Sequence, residues 1–267
     1  MPRALDHIVH AVRDLDAAAV FYESLGFTVG ARNRHPWGTH NRIIQFDGSD
    51  IELLTVAEPE KIMPHAPRSF SFGAFHRDFL AHEQGLAMLL LNSRDAKADH
   101  AAWRAAGIGD FEVFNFEREG KRPDGASVKL AFSLVFSADR NAPEAGFAAC
   151  QHYYPENFWN PAFQQHANGI KAIAGVVMVA DAPVQHREFL LAYTGATSAH
   201  VGDDGFTIDL PRGARRGDDS GRVQLRLRRR GGGYVAGGAA CGAALYRRRT
   251  AGKHSALGAL LLFEPGR

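Results

Sequence analysis

A strand, a helix and a run of further strands recur along this chain, and that repetition points to an α+β fold built from copied modules. In the first copy, His7 to Val12 alternates as a strand and Asp14 to Leu25 carries the apolar period of a helix. Asp14 is placed to cap that helix and Gly26 to stop it. Asn41 to Phe46 and Asp50 to Val56 follow as strands around the turn Asp47-Gly48-Ser49. A second copy opens on the apolar run Gly85 to Leu91, suited to a strand buried on both faces. It continues with a helix from Ala96 to Ala106, capped by Ser93 or Asp95, and strands at Phe111 to Glu117, Val128 to Phe136 and Gly146 to Tyr153. Between the copies, residues 58–84 form a connector carrying Phe70, Phe72, Phe75 and Phe79, which could act as a lid, and its histidines His76 and His82 are expected to be solvated.

A third copy starts at Lys171, with a strand from Ile173 to Val179, a helix from Pro183 to Tyr193, and short strands at Ala199 to Val201 and Phe206 to Leu210. A fourth is expected next in damaged form. Residues 211–255 are rich in arginine and glycine, although Val223 to Leu227 still alternates and Gly258 to Pro265 returns to a terminal strand. A disturbed reading frame would write such Arg/Gly/Ala text. Translating the gene in its other frames tests this, and the idea dies if neither gives an amphipathic strand and helix. The expected division is a pair of modules with an active-site cavity over 1–168 and a second, partly degenerate pair over 169–267.

With 45% hydrophobic and 22% charged residues, the composition is that of a soluble globular protein. A net charge of +2 argues against nucleic acid as a partner, and the arginine clusters lack the interleaved aromatics that single-strand binding uses. No stretch suits a membrane span, and Met1-Pro2-Arg3-Ala4 runs into the first strand without an apolar leader, so a cytoplasmic location is expected. Cys150 and Cys241 make no disulfide framework.

The segments Leu5-Asp6-His7-Ile8-Val9, Arg13-Asp14-Leu15-Asp16, Phe21 to Phe27 and Asp50 to Val56 together resemble the first βαβββ module of the vicinal oxygen chelate superfamily. That superfamily includes glyoxalase I, extradiol dioxygenases and bleomycin-resistance proteins. Arg34 to Asn41, Ile51 to Leu54, Cys150-Gln151-His152 and His166-Ala167-Asn168-Gly169 resemble, more narrowly, a glyoxalase-like domain family. The likeness covers roughly residues 4–210 and implies curved mixed sheets around a cavity. It also implies a divalent metal on a first-strand histidine, His7, and a last-strand glutamate, Glu52.

Strand parity puts His7, Val9 and Ala11 on one face, and Glu52 with Leu54, so His7 and Glu52 can share the cavity. The second-copy position matching His7 is Met88, a poor ligand for Fe, Mn, Zn or Mg. His152 stands at about the place of Glu52 and is the candidate third ligand. His7, Glu52 and His152 would then bind Fe, Mn, Zn or Ni with positions open for substrate, and His40 with Glu52 would handle protons. Trp37, Thr39, Asn41, Phe72, Tyr153 and Trp159 are candidates to line the substrate site. The expected partner is a small molecule, with a homodimer left open. A metal-free binding or sequestering protein using the same cavity stays open as the alternative. Cys150 beside His152 admits a nucleophile, though no third group orients it. Arg118, Lys121 and Arg122 could hold an anion or simply flank a solvated turn.

Overall fold

The computed structural model describes residues 2–122, 125–212 and 222–229, and the backbone of 258–265. The first module is β1 (Leu5–Ala11), α1 (Leu15–Ser24), β2 (Asn33–Arg34), β3 (Thr39–Gln45) and β4 (Asp50–Val56). The connector folds into α2 (Phe72–His82), and the second module is β5 (Gly85–Asn92), α3 (Ala96–Ala105), β6 (Phe114–Lys121), β7 (Ser127–Ser137) and β8 (Gly146–His152). One turn of helix, α4 (Pro155–Phe158), leads to the third module: β9 (Ile170–Ala180), α5 (Arg187–Thr194), β10 (His200–Gly202), β11 (Gly205–Pro211) and β12 (Arg222–Arg229). The last described element is β13 (Gly258–Pro265).

The first two modules join into one eight-stranded sheet of order β2-β3-β4-β1-β5-β8-β7-β6. In each, the closing strand runs parallel to the opening strand, and β1 meets β5 antiparallel at the centre. Helix starts follow the expected chemistry: Asp14 accepts from the amides of Asp16 and Ala17, and Asp95 from those of Lys97 and Ala98.

The third module departs from expectation in a useful way. Arg222–Arg229 runs parallel to β9, as β4 does to β1, so this alternating segment completes the third module instead of belonging to a damaged fourth. β13 pairs antiparallel with β9, as β5 pairs with β1. It therefore stands where a first strand stands, not where a terminal strand would. The rest of the Arg/Gly-rich stretch, 213–221 and 230–257, lies outside the described residues.

Two apolar cores flank the large sheet. On its convex side Leu5, Ile8, Trp103 of α3 and Tyr193 of α5 form one cluster with Val176, Leu225 and Leu227 of the small sheet. Tyr193 donates its hydroxyl to the carbonyls of Leu89 and Ala148, fastening α5 to the back of β5 and β8. On the concave side Val9, Ala11, Leu54, Leu90 and Phe136 pack with Phe72 and Leu80 of α2. The sequence reading missed this helix. Ser71 caps it by accepting from the Ala74 amide, and the spacing of Phe72, His76 and Leu80 provides its buried face. His76 is accordingly fully buried, not solvated, with Nδ1 donating to the Phe72 carbonyl.

Candidate functional site

The concave face holds a pocket of about 540 Å³, part of it open to solvent. From the first module it is lined by His7 on β1, Asn41 on β3, and Asp50 and Glu52 on β4. The second module contributes Phe116 and Arg118 on β6, Phe132 on β7, and Cys150 and His152 on β8. Trp37 and Phe72 complete an aromatic wall. Gly38, at φ +88°, makes the turn that carries Trp37; a Cβ there would lie 2.3 Å from the Glu58 carbonyl oxygen.

His7 and Glu52 come together as strand parity implies, with His7 Nε2 3.7 Å from Glu52 Oε2. That is too long for a good hydrogen bond and suits two donors facing one small cation. His7 Nδ1 donates to Asp6 Oδ1 at 2.6 Å, which fixes the ring and aims Nε2 into the cavity. Strict alternation would send Asp6 to the convex side. It does not go there because β1 bulges: Leu5 pairs with Leu91 and His7 with Leu90, leaving Asp6 as the extra residue.

Asp6 also meets His152 Nε2 at 3.1 Å. Asp6, Cys150 and His152 form a group whose donor atoms all lie within 4.8 Å of one another, and it could hold a metal ion. The structure thus places His152 beside Asp6 instead of closing a ring with His7 and Glu52. Register supplies the reason. His7 pairs with Asp50 and Met88 with Gly146, so the second-module counterpart of Glu52 is Ala148, four residues before His152.

Burial lowers the basicity of His7, but its hydrogen bond to Asp6 and the charges of Asp50, Asp6 and Glu52 outweigh this and raise its pKa to about 9. Asp6 is desolvated too, yet His152 and His7 hold its carboxyl well below the usual range. Burial dominates for Asp50 and Glu52, whose proton affinities rise. Asn41 donates to Glu52 Oε1 at 2.5 Å and accepts from Asn33. Behind Asn41, His35 is hydrogen-bonded to Thr39 Oγ1 at 2.8 Å, and burial, helped by Arg118, drops its pKa to about 3.

A divalent cation fits this donor set. Among the described residues the buried Asp50 Oδ2 and His152 Nδ1 have no hydrogen-bond partner, and imidazole and carboxylate are the ligands such ions take.

The other sequence candidates are scattered. His40 faces away from the cavity, with Nε2 3.2 Å from Glu58 Oε2 and Nδ1 3.2 Å from Arg32. Thr39 supports His35 from behind. Tyr153 is half exposed and bonds Ser133 Oγ, whereas Trp159 is buried and stacks on His152 at 5.8 Å. Missed residues include Asp6, Asp50 and His35. Asp50 shares the parity of Glu52, which could have revealed it.

Copied βαβββ modules joined through their first strands around a polar-floored cup define the vicinal oxygen chelate architecture. Within it, the chain belongs to the glyoxalase-like domain family, whose model matches residues 5–194. A hypothetical protein from Staphylococcus aureus shares the fold with a TM-score of 0.66 at 18% identity, over 91% of this chain and 95% of that one. Methylmalonyl-CoA epimerase in complex with methylmalonyl-CoA and NH4+ gives 0.41 at 18% identity over 57% and 96%. A mutant 4-hydroxymandelate synthase from Streptomyces coelicolor gives 0.48 at 14% identity over 85% and 63%. No curated protein sequence matches the chain. Among the described residues no helix is long and apolar enough to cross a membrane.

Proposed function

We propose that this protein is a glyoxalase- or dioxygenase-like enzyme for a small organic molecule, with a divalent metal held by His7 and Glu52. The observation that carries this reading is the 3.7 Å spacing of His7 Nε2 and Glu52 Oε2 on the floor of an aromatic-walled pocket. When bound, the cation supplies Lewis acidity to neighbouring substrate oxygens. The chain's own residues do the rest. Asp6 locks the His7 ring by its Nδ1 proton, and Asn41 holds Oε1 of Glu52 so that Oε2 faces His7. Glu52, with its proton affinity raised by burial, is the group placed to take or return a substrate proton, since His40 lies on the other face. Trp37, Phe72, Phe116 and Phe132 exclude water from that exchange. His152, Cys150 and Asp6 form the adjoining donor group.

The alternative, a metal-free binding protein, is favoured by the Asn41 to Glu52 bond, which pairs the carboxylate with protein. Elemental analysis of protein purified without chelator or histidine tag separates the two. Stoichiometric Fe, Mn, Zn or Ni, lost in both His7→Ala and Glu52→Gln, supports the enzyme. No metal even after reconstitution rejects it in favour of the binding protein.

A further inference from the structure

We propose that the cavity takes a small aromatic carboxylate whose oxyanion sits on the guanidinium of Arg118. This deepens the reading of the cavity as a small-molecule site and does not depend on the metal.

The placement of Arg118 follows from β6. Its residues alternate between half-buried and exposed, and Phe114, Phe116 and Arg118 share the half-buried set while Asn115, Glu117 and Glu119 are exposed. Of the four basic residues on or beside this hairpin, Arg118 lines the cavity; Arg122 bonds Asn157, Lys129 pairs with Glu117 and Lys121 is exposed.

The hydrogen bonds of Arg118 leave its fork unused. Nη1 reaches the Asn33 amide oxygen at 3.5 Å and the Glu119 carbonyl at 3.2 Å, both neutral acceptors. Among the described residues no carboxylate forms an ion pair with it, although the cavity floor carries Asp50 and Glu52. Two asparagines stand between: Arg118 bonds Asn33, Asn33 bonds Asn41 at 2.9 Å, and Asn41 bonds Glu52. A guanidinium partly withdrawn from water, without a carboxylate of its own, is matched by a planar oxyanion that accepts two parallel hydrogen bonds.

The rest of the wall defines the body of the ligand. Phe116 stacks on Phe132 at 4.9 Å, Trp37 meets Phe116 edge-on at 5.1 Å, and Phe158 meets Phe132 edge-on at 5.8 Å. Flat apolar surfaces next to the Arg118 guanidinium select a flat apolar body ending in an anion.

The test is calorimetric titration of the chelator-treated and the metal-reconstituted protein with matched probes, 3,4-dihydroxybenzoate and 3,4-dihydroxybenzyl alcohol. The carboxylate is expected to bind at least about tenfold tighter than the alcohol in both forms. In Arg118→Gln the preference falls to about unity while the alcohol's affinity stays put; Arg118→Lys keeps part of it. Unchanged near-ultraviolet circular dichroism certifies the fold of both variants. Equal binding of the two probes, a preference that survives Arg118→Gln, or no binding of either at about 10 mM overturns the proposal. His7→Ala, which tests the metal, is expected to leave the preference intact, so failure of one reading does not masquerade as failure of the other.

Discussion

The two halves of the eight-stranded sheet have the same connections and opposite linings. β1, β3 and β4 bring His7, Asn41, Ile43, Asp50 and Glu52 to the cavity, whereas β6, β7 and β8 bring Phe116, Arg118, Phe132, Leu134, Cys150 and His152. At the matching place on β5 stands Met88, packed against Gly146, where β1 has His7 paired with Asp50. The first module supplies the cavity's carboxylates, and the second supplies most of its aromatic surface together with Arg118 and His152. The difference teaches that a copied module need not keep its chemistry, because the backbone ladder that copies the fold leaves the inward side chains free to diverge.

Substitutions in the two halves should therefore fail in different ways. The largest effect is expected for Phe132→Ala, which opens a void among Phe116, Phe158 and His152. It should cost about 3–5 kcal/mol in urea unfolding and leave metal content unchanged; metal loss at full stability would break the division of labour. Asp6→Ala should come next. It strips His7 and His152 of their shared buried acceptor, costing about 3 kcal/mol, and lowers metal affinity about 10–100-fold in a competition titration.

The third prediction concerns pH in the metal-free protein. The folded-state pKa of His7 is raised from 6.5 to about 9, so its stabilising contribution is complete below 6.5 and disappears as pH climbs toward 9. About 3 kcal/mol of unfolding free energy should be lost over that window, and His7→Gln should flatten the slope. Second-module aromatic variants should leave it unchanged. Smallest is Asp50→Asn. Burial raises the proton affinity of Asp50, so an amide of the same shape is a mild change there, and thermal unfolding should move by no more than about 1 kcal/mol.

Parity carried much of this structure in plain sight. His7 and Glu52 occupy the face that alternation assigns them, and the Asp14 and Asp95 caps stand where helix chemistry puts them. What escaped has physical causes. The bulge at Asp6 is set by pairing with β5, far away in sequence, and no local pattern announces it. His152 and Glu52 stand at similar places along the chain, but register between distant strands decides the match and gives it to Ala148. α2 was legible: Ser71 followed by Phe72, His76 and Leu80 is a capped helical face, obscured by the density of Phe and His around it. Arg118 was legible too, since Phe114, Phe116 and Arg118 alternate, but two nearby cations made it look like part of a solvated turn.

The extra residue in β1 also bears on how this chain diverges from its kin. Removing a single amino acid between Leu5 and His7 would regularise that end of the ladder to β5 and take away the carboxylate that steadies both imidazoles. A relative could keep the letters of His7 and Glu52 and still lose that support through one deletion. Insertions and deletions ahead of the first-strand histidine, more than the histidine itself, are then the changes to follow when this centre is traced from one lineage to the next.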